Sequence, residues 1–161
     1  MTSNQTKGAV LALLWEYKKA IAELQDVIRS ITDTELTTIV DLATTNEDCR
    51  SVQTVLTHVV SSGYSYCVYI ENARNINSER PDKIQLASTP EYISALDDVF
   101  RYTRNTFTTI YDHELEELDS TKNIKTNWGK LYDIEQLIEH AIVHVLRHRR
   151  QIEKFKTQFS K

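Results

Sequence analysis

Between Asp133 and Phe159 the chain carries one long apolar seam: Ile134, Ile138, Ala141, Val145, His148, Ile152, Phe155 and Phe159. The steps alternate between four and three, which puts all eight positions on one stripe of an α-helix. A helix with such a stripe must bury it against other helices. The same spacing recurs upstream. Leu14, Tyr17, Ile21, Leu24, Ile28 and Ile31 predict a first helix over residues 6–30, with Asn4 as a candidate cap. Ser51 suits the cap of a second helix that runs to about Ala73, with Val52, Val55, Val59, Gly63, Cys67 and Ile70 on its inner face. Thr89-Pro90-Glu91 reads as a third helix start, with a capping side chain, a proline in the first turn and an acid. That helix is expected to reach about Leu115, with Ile93, Leu96, Phe100, Thr103, Phe107 and Ile110 as its stripe. Asp133 is the candidate cap of the fourth.

Three glycines and two prolines in 161 residues are too few for a turn-rich β fold. The expectation is therefore all-α: a four-helix bundle with long connections, residues 1–161 forming a single domain. The connections fall at 32–50, 74–88 and 119–131, the first with room for a short helical turn over 34–40. Gly63 inside a helix costs about 1 kcal/mol relative to alanine, which predicts close approach of a neighbouring helix. Apolar residues at 40% and charged residues at 26% fit a folded rather than a disordered chain. A net charge of −4 argues against a nucleic-acid partner, which would call for a basic face. No apolar run approaches the roughly 20 residues that cross a bilayer, so no membrane partner is expected. Two cysteines make no disulfide framework, and together with the absence of a secretory leader pattern they suit a cytoplasmic setting.

His140, His144 and His148 stand four apart on the last helix and form a ladder on one side of it. His58 lies inside the second helix. Two histidines at i and i+4 plus one from a neighbouring helix make a three-nitrogen metal site with a vacant position. Spacing alone leaves open which two ladder members face His58. No glutamate lies between the paired histidines, which argues against the metalloprotease arrangement. Cys67 is nine residues after His58, about 13 Å along the same helix, and reads as core. Cys49 reads as an inert or exposed thiol, and His113 as a solvated residue among acids. Arg147 and Arg150 flank the ladder. Their plain reading is a cationic helix end favoured by the dipole; the functional one is a clamp for an anionic substrate or thiol cofactor. Tyr64 reads as core or rim, with a proton donor near the metal as the alternative.

At these residues the sequence resembles the DinB/YfiT-like superfamily. The signature is a histidine in the second helix, matched by His58, and an H-x-x-x-H-R-x-Q run in the last, matched from His144 through His148 to Gln151. The approach Trp128-Gly129-Lys130-Leu131-Tyr132-Asp133 also looks like that of relatives. Arg150 departs from the pattern, since many relatives have glycine there, and His140 is an additional imidazole. The resemblance implies a four-helix bundle, often a homodimer, with a divalent metal, zinc or nickel, held by His58, His144 and His148. His140 and Gln151 would stand behind those ligands, and Arg147 and Arg150 would bind a cofactor. The implied function is a metal-dependent enzyme acting on a small-molecule substrate, with a low-molecular-weight thiol as co-substrate of an S-transferase. The alternatives are a metal-dependent hydrolase, or a non-catalytic metal-binding bundle with a stability, sensing or stress-response role. Chemically, three neutral imidazoles leave a divalent ion its full charge and an open position for an external nucleophile.

Overall fold

A computed structural model describes residues 5–159. Four long helices carry the fold: α1 (Gly8–Ile28), α3 (Val52–Ala73), α4 (Thr89–Thr106) and α5 (Ile134–Phe159), with a five-residue α2 (Asp33–Thr37) after the first. A two-stranded ribbon, β1 (Ile124–Lys125) paired antiparallel with β2 (Leu131–Tyr132), leads into α5. The helices form a ring in the order α1, α5, α3, α4. Neighbours in the ring alternate in relative direction. α1 and α5 run parallel, since Glu23 pairs with Arg149 and Val27 O accepts from Lys156 Nζ at 2.7 Å. α3 and α4 are also parallel, with Thr57 bonded to Tyr92 at one end and Cys67 to Thr103 at the other. The pair α1 and α4 is antiparallel, with Gln25 bonded to Asp97 at 2.8 Å and Lys7 to Phe107 O at 3.2 Å. Among the described residues no helix is long and apolar enough to cross a membrane.

Local chemistry sets the helix ends. Ser51 caps α3 as expected and forms a reciprocal capping box with Thr54. Asp133 does the same for α5, accepting from Gln136 N at 2.8 Å while Gln136 Oε1 accepts from Asp133 N at 3.1 Å. The expected short turn is α2, boxed by Thr32 and Glu35. Asn4 lies outside the described residues; within them, the start of α1 is served from far away in sequence, with Asp112 Oδ1 accepting from Val10 N at 3.0 Å. The expected cap of α4 is corrected by one residue. Ser88 occupies the cap position and shares Glu91 Oε2 with Ala87 N, whereas Thr89 Oγ1 donates to Ile31 O at 2.9 Å.

The third helix is shorter than its periodicity predicts. α4 ends at Thr106, and the chain continues through single turns at Phe107–Thr109 and Asp112–Glu114. Phe107 and Ile110 stay buried, so the apolar pattern outlasts the helix. The chain leaves it because residues 109–114 are bonded elsewhere: Arg74 Nη2 donates to Thr109 O, Arg74 pairs with Glu114, and Asp112 N bonds to Thr6 O. The buried face of α4 is also shifted, to Tyr92, Leu96, Val99 and Thr103, with Ile93 and Phe100 half-buried. Two neighbours explain two adjacent stripes. Tyr92, Val99 and Thr103 meet α3, while Ile93 and Phe100 meet α1 through Gln25 and Tyr17. Gly63 is where α3 and α4 come closest, and a Cβ there would overlap Val99 Cγ1.

Candidate metal centre

α3 and α5 run antiparallel, which brings the middle of α3 level with the second half of α5. His58 Nε2 lies 2.9 Å from His144 Nε2, and His148 Nε2 lies 3.2 Å from the same nitrogen. One ligand atom from each of the three falls within 4.8 Å of the others. A tetrahedral ion with bonds of about 2.0–2.1 Å sets its ligand nitrogens roughly 3.3 Å apart, so the spacing suits one ion. The outer ring nitrogens of His58 and His148 are held by acceptors. His58 Nδ1 lies 3.3 Å from Asp48 Oδ2, and His148 Nδ1 lies 2.8 Å from Gln151 Oε1. Each acceptor requires the proton on Nδ1 and leaves the Nε2 lone pair facing inward. His144 Nε2 can donate to only one of those two lone pairs, so at least one of the close contacts is repulsive without a cation between them. The donor set therefore fits a divalent ion.

Electrostatics favour the neutral ligand form. Burial, reinforced by the other three histidines and Arg147, brings the His144 pKa down to about 2. Burial also lowers His58, against the pull of Asp48, and lowers His148, against the hydrogen bond to Gln151. Neutral imidazoles are what a metal requires.

The remaining predicted residues divide clearly. His140 stands one turn before His144, with the two rings stacked at 6.3 Å, and it is not one of the three convergent nitrogens. It is taken up by aromatic partners instead: Trp128 lies parallel to it at 5.4 Å, Tyr66 meets its ring at 5.6 Å, and Tyr132 Oη lies 3.5 Å from its Nδ1. Arg147 and Arg150 line a cavity of about 540 Å³ with His148, Gln151, Lys154 and Cys49. Cys49 is thus half-buried at a cavity wall rather than freely exposed. Cys67 is core as expected: it bonds to Thr103, and burial pushes its thiol up to about 11. Tyr64 packs against Tyr102 at 5.3 Å. The tyrosine whose ring meets His144 is Tyr66, at 5.9 Å.

Two residues of the site carried no sequence signal. Asp48 reaches His58 from a single 3-10 turn (Glu47–Cys49) that Asn46 caps by accepting from Asp48 N at 3.0 Å. Lys83, from the connection before α4, forms an ion pair with the same carboxylate. Neither belongs to a periodic segment, so no spacing pointed to them.

The fold and the site together define a helical-bundle protein with a three-histidine centre able to hold a metal ion. The chain belongs to the DinB family, whose model matches residues 1–155. No curated protein matches it.

Proposed function

We propose that this chain is a metal-dependent enzyme in which His58, His144 and His148 hold a divalent ion, zinc or nickel, and the adjoining cavity receives an anionic small molecule. The observation that carries the reading is the position of His148. Its Nε2 belongs to the convergent set, and its ring also lines the cavity with Arg147, Arg150 and Lys154. A site whose ligands border a cationic cavity suits catalysis better than a closed structural metal. Held by His58, His144 and His148, a divalent ion would supply the Lewis acidity that lowers the pKa of a thiol or water.

The chain's own groups have three tasks. The imidazoles stay neutral because they are desolvated. Asp48 and Gln151 fix the tautomers of His58 and His148 through Nδ1. Arg147 and Arg150 supply paired donors for a carboxylate at the cavity mouth. Among the described residues the carboxylate that meets the three ligands is Asp48, which is engaged by His58 Nδ1 and Lys83, so the nucleophile is taken to be external. A low-molecular-weight thiol carrying carboxylates, in an S-transfer to an electrophilic acceptor, matches this demand and the family resemblance.

The test uses untagged protein loaded with zinc or nickel, screened with low-molecular-weight thiols and electrophilic acceptors. Expected is thiol-dependent turnover that vanishes in His148→Ala and survives Cys49→Ser and Cys67→Ser. Loss of activity in a cysteine variant with intact metal content assigns the reaction to a protein thiol and overturns the proposal. Turnover without thiol favours the hydrolase. A strong drop in melting temperature on chelation, with no turnover, favours the non-catalytic bundle.

A further inference from the structure

From α3 the chain returns to α4 through residues 77–87, which make no backbone-to-backbone hydrogen bond among the described residues. Side chains hold this strap in place. Arg80 Nη1 donates to Ser65 Oγ at 3.3 Å, and Lys83 pairs with Asp48. Gln53 Nε2 donates to Leu86 O at 2.9 Å, and Leu86 N donates to Tyr92 Oη at 3.1 Å. Between these anchors the strap covers a cavity of about 110 Å³, walled by Val60 and Tyr64 of α3, Ala95 of α4, and Ile84 and Leu86 of the strap. None of the three convergent histidines lines it. Lys83, which does, links it to the centre through Asp48.

Ser61 interrupts this apolar wall. It is 7% exposed and lines the cavity, and its Oγ has no hydrogen-bond partner among the described residues. Buried hydroxyls are normally satisfied, so an unsatisfied one beside a cavity points to what the cavity takes. The neighbouring Thr57 hydroxyl is already bonded to Gln53 O at 2.8 Å and to Tyr92 Oη. A water needs two to four polar partners to settle in a cavity, and a wall this apolar favours an occupant that brings apolar surface of its own. Ile84 is 65% exposed, and such an occupant would draw it out of water. Of the two charged residues at the rim, Lys83 is paired with Asp48 and Asp82 is exposed, so neither offers a buried charge.

We infer that this cavity binds a small neutral molecule with an apolar body and one hydroxyl or carbonyl oxygen, which bonds to Ser61 Oγ. A serine hydroxyl both donates and accepts, so either oxygen suits it. An apolar cavity of about 150 Å³ accepts benzene, so one of about 110 Å³ suits a body of roughly four to six carbons. A charged ligand is disfavoured, because the cost of burying its charge is not offset there. The strap belongs to no helix or sheet, so it can lift to admit the ligand without breaking either. The inference stands on α3, α4 and the strap and is independent of the metal.

The probes are phenol and toluene, single rings with and without the oxygen, titrated into the untagged full chain and followed by amide and methyl NMR shifts. Phenol is expected to move the signals of residues 57–64 and 81–86 and of Ala95. Ser61→Ala removes the hydrogen bond and keeps the cavity, so phenol binding should weaken about fivefold relative to toluene. Ala95→Leu fills the cavity and should abolish binding of both. Circular dichroism verifies the fold; where Ala95→Leu fails to fold, Val60→Phe replaces it and must also abolish binding. Phenol that leaves these signals unmoved means that water alone satisfies Ser61, and overturns the inference. So do shifts that gather instead on the groove beside Leu13 and Ile142 or on the cavity beside His148. An unchanged phenol-to-toluene ratio in Ser61→Ala, or a folded cavity-filling variant that still binds at these residues, overturns it as well.

Discussion

His148 Nδ1 lies 2.8 Å from Gln151 Oε1, one turn further along α5. The amide oxygen fixes the ring's tautomer and rotation, so that Nε2 faces His144 and His58. Partners of this kind affect metal affinity by about 10- to 100-fold when removed. Gln151→Leu is expected to weaken zinc binding by such a factor, read by competition with a chromophoric chelator. The melting temperature of the metal-free protein should barely change, because Gln151 is at the cavity wall rather than in the apolar core. Unchanged affinity would show that helix packing alone orients the ring.

The ladder offers three histidines, and the geometry separates them. His140 is stacked on Trp128 and faces Tyr132, away from the convergent nitrogens. His140→Phe keeps the stacking surface and should retain one metal ion per chain by elemental analysis of untagged protein. His58→Ala and His144→Ala should each lose it. Retention in both alanine variants would break the ligand assignment.

Glu71 gives the fold an acid-sensitive point. Burial opposes its ionisation, but hydrogen bonds from Ser78, Thr106 and Tyr102 prevail and hold its pKa below the usual 4.5. Tyr102 and Thr106 hydroxyls both donate to it at 2.7 Å, and burial together with that carboxylate pushes Tyr102 up to about 12. A lowered carboxyl pKa stabilises the fold above 4.5, and that contribution disappears as pH falls through the folded-state value. Glu71→Gln keeps an acceptor oxygen and loses the charge, so it should cost about 1–2 kcal/mol at pH 7. The gap should close as the pH falls below 4.5, because the protonated wild type then resembles the variant. Denaturant melts at pH 7 and pH 3 measure this; an equal gap at both would assign the loss to packing.

Much of the bundle was legible because its information is periodic. The predicted seam positions of α1 and α3 are all buried, as are those of α5 from Ile138 to Phe155. The stripes omit the buried Val10, Leu56, Tyr66 and Leu137, and Ile134 and Phe159 are half-buried. Ser51 and Asp133 announced their helices by local capping chemistry. α4 was read less well, since its fully buried positions (Tyr92, Leu96, Val99, Thr103) and its half-buried apolar ones (Ile93, Phe100) fall on two adjacent stripes. Its true end was hidden because Arg74 and Asp112 draw the following residues into contacts distant in sequence. The same distinction runs through the centre. His144, His148 and Gln151 share one helix and showed as a pattern, with His58 added by type and place. Asp48 and Lys83 come from irregular connections, and only in three dimensions does Asp48 meet His58 and Lys83 meet Asp48. No spacing rule relates them.

Gly63 tests the packing that places His58. Replacing an exposed helical glycine by alanine gains about 1 kcal/mol through reduced backbone freedom. At Gly63 the new methyl would overlap Val99 Cγ1 and approach the Tyr17 hydroxyl to 3.2 Å. Val99 is β-branched and only 2% exposed, so it has little room to turn aside. Overpacking of this kind costs about 1–3 kcal/mol and is expected to outweigh the propensity gain. Gly63→Ala should therefore lower the melting temperature. In a Val99→Ala background the obstructing methyls are gone, and the same substitution should become stabilising. The double-mutant cycle isolates the contact because only the steric term depends on residue 99. A Gly63→Ala variant that stabilises both backgrounds would mean that α3 and α4 separate without penalty.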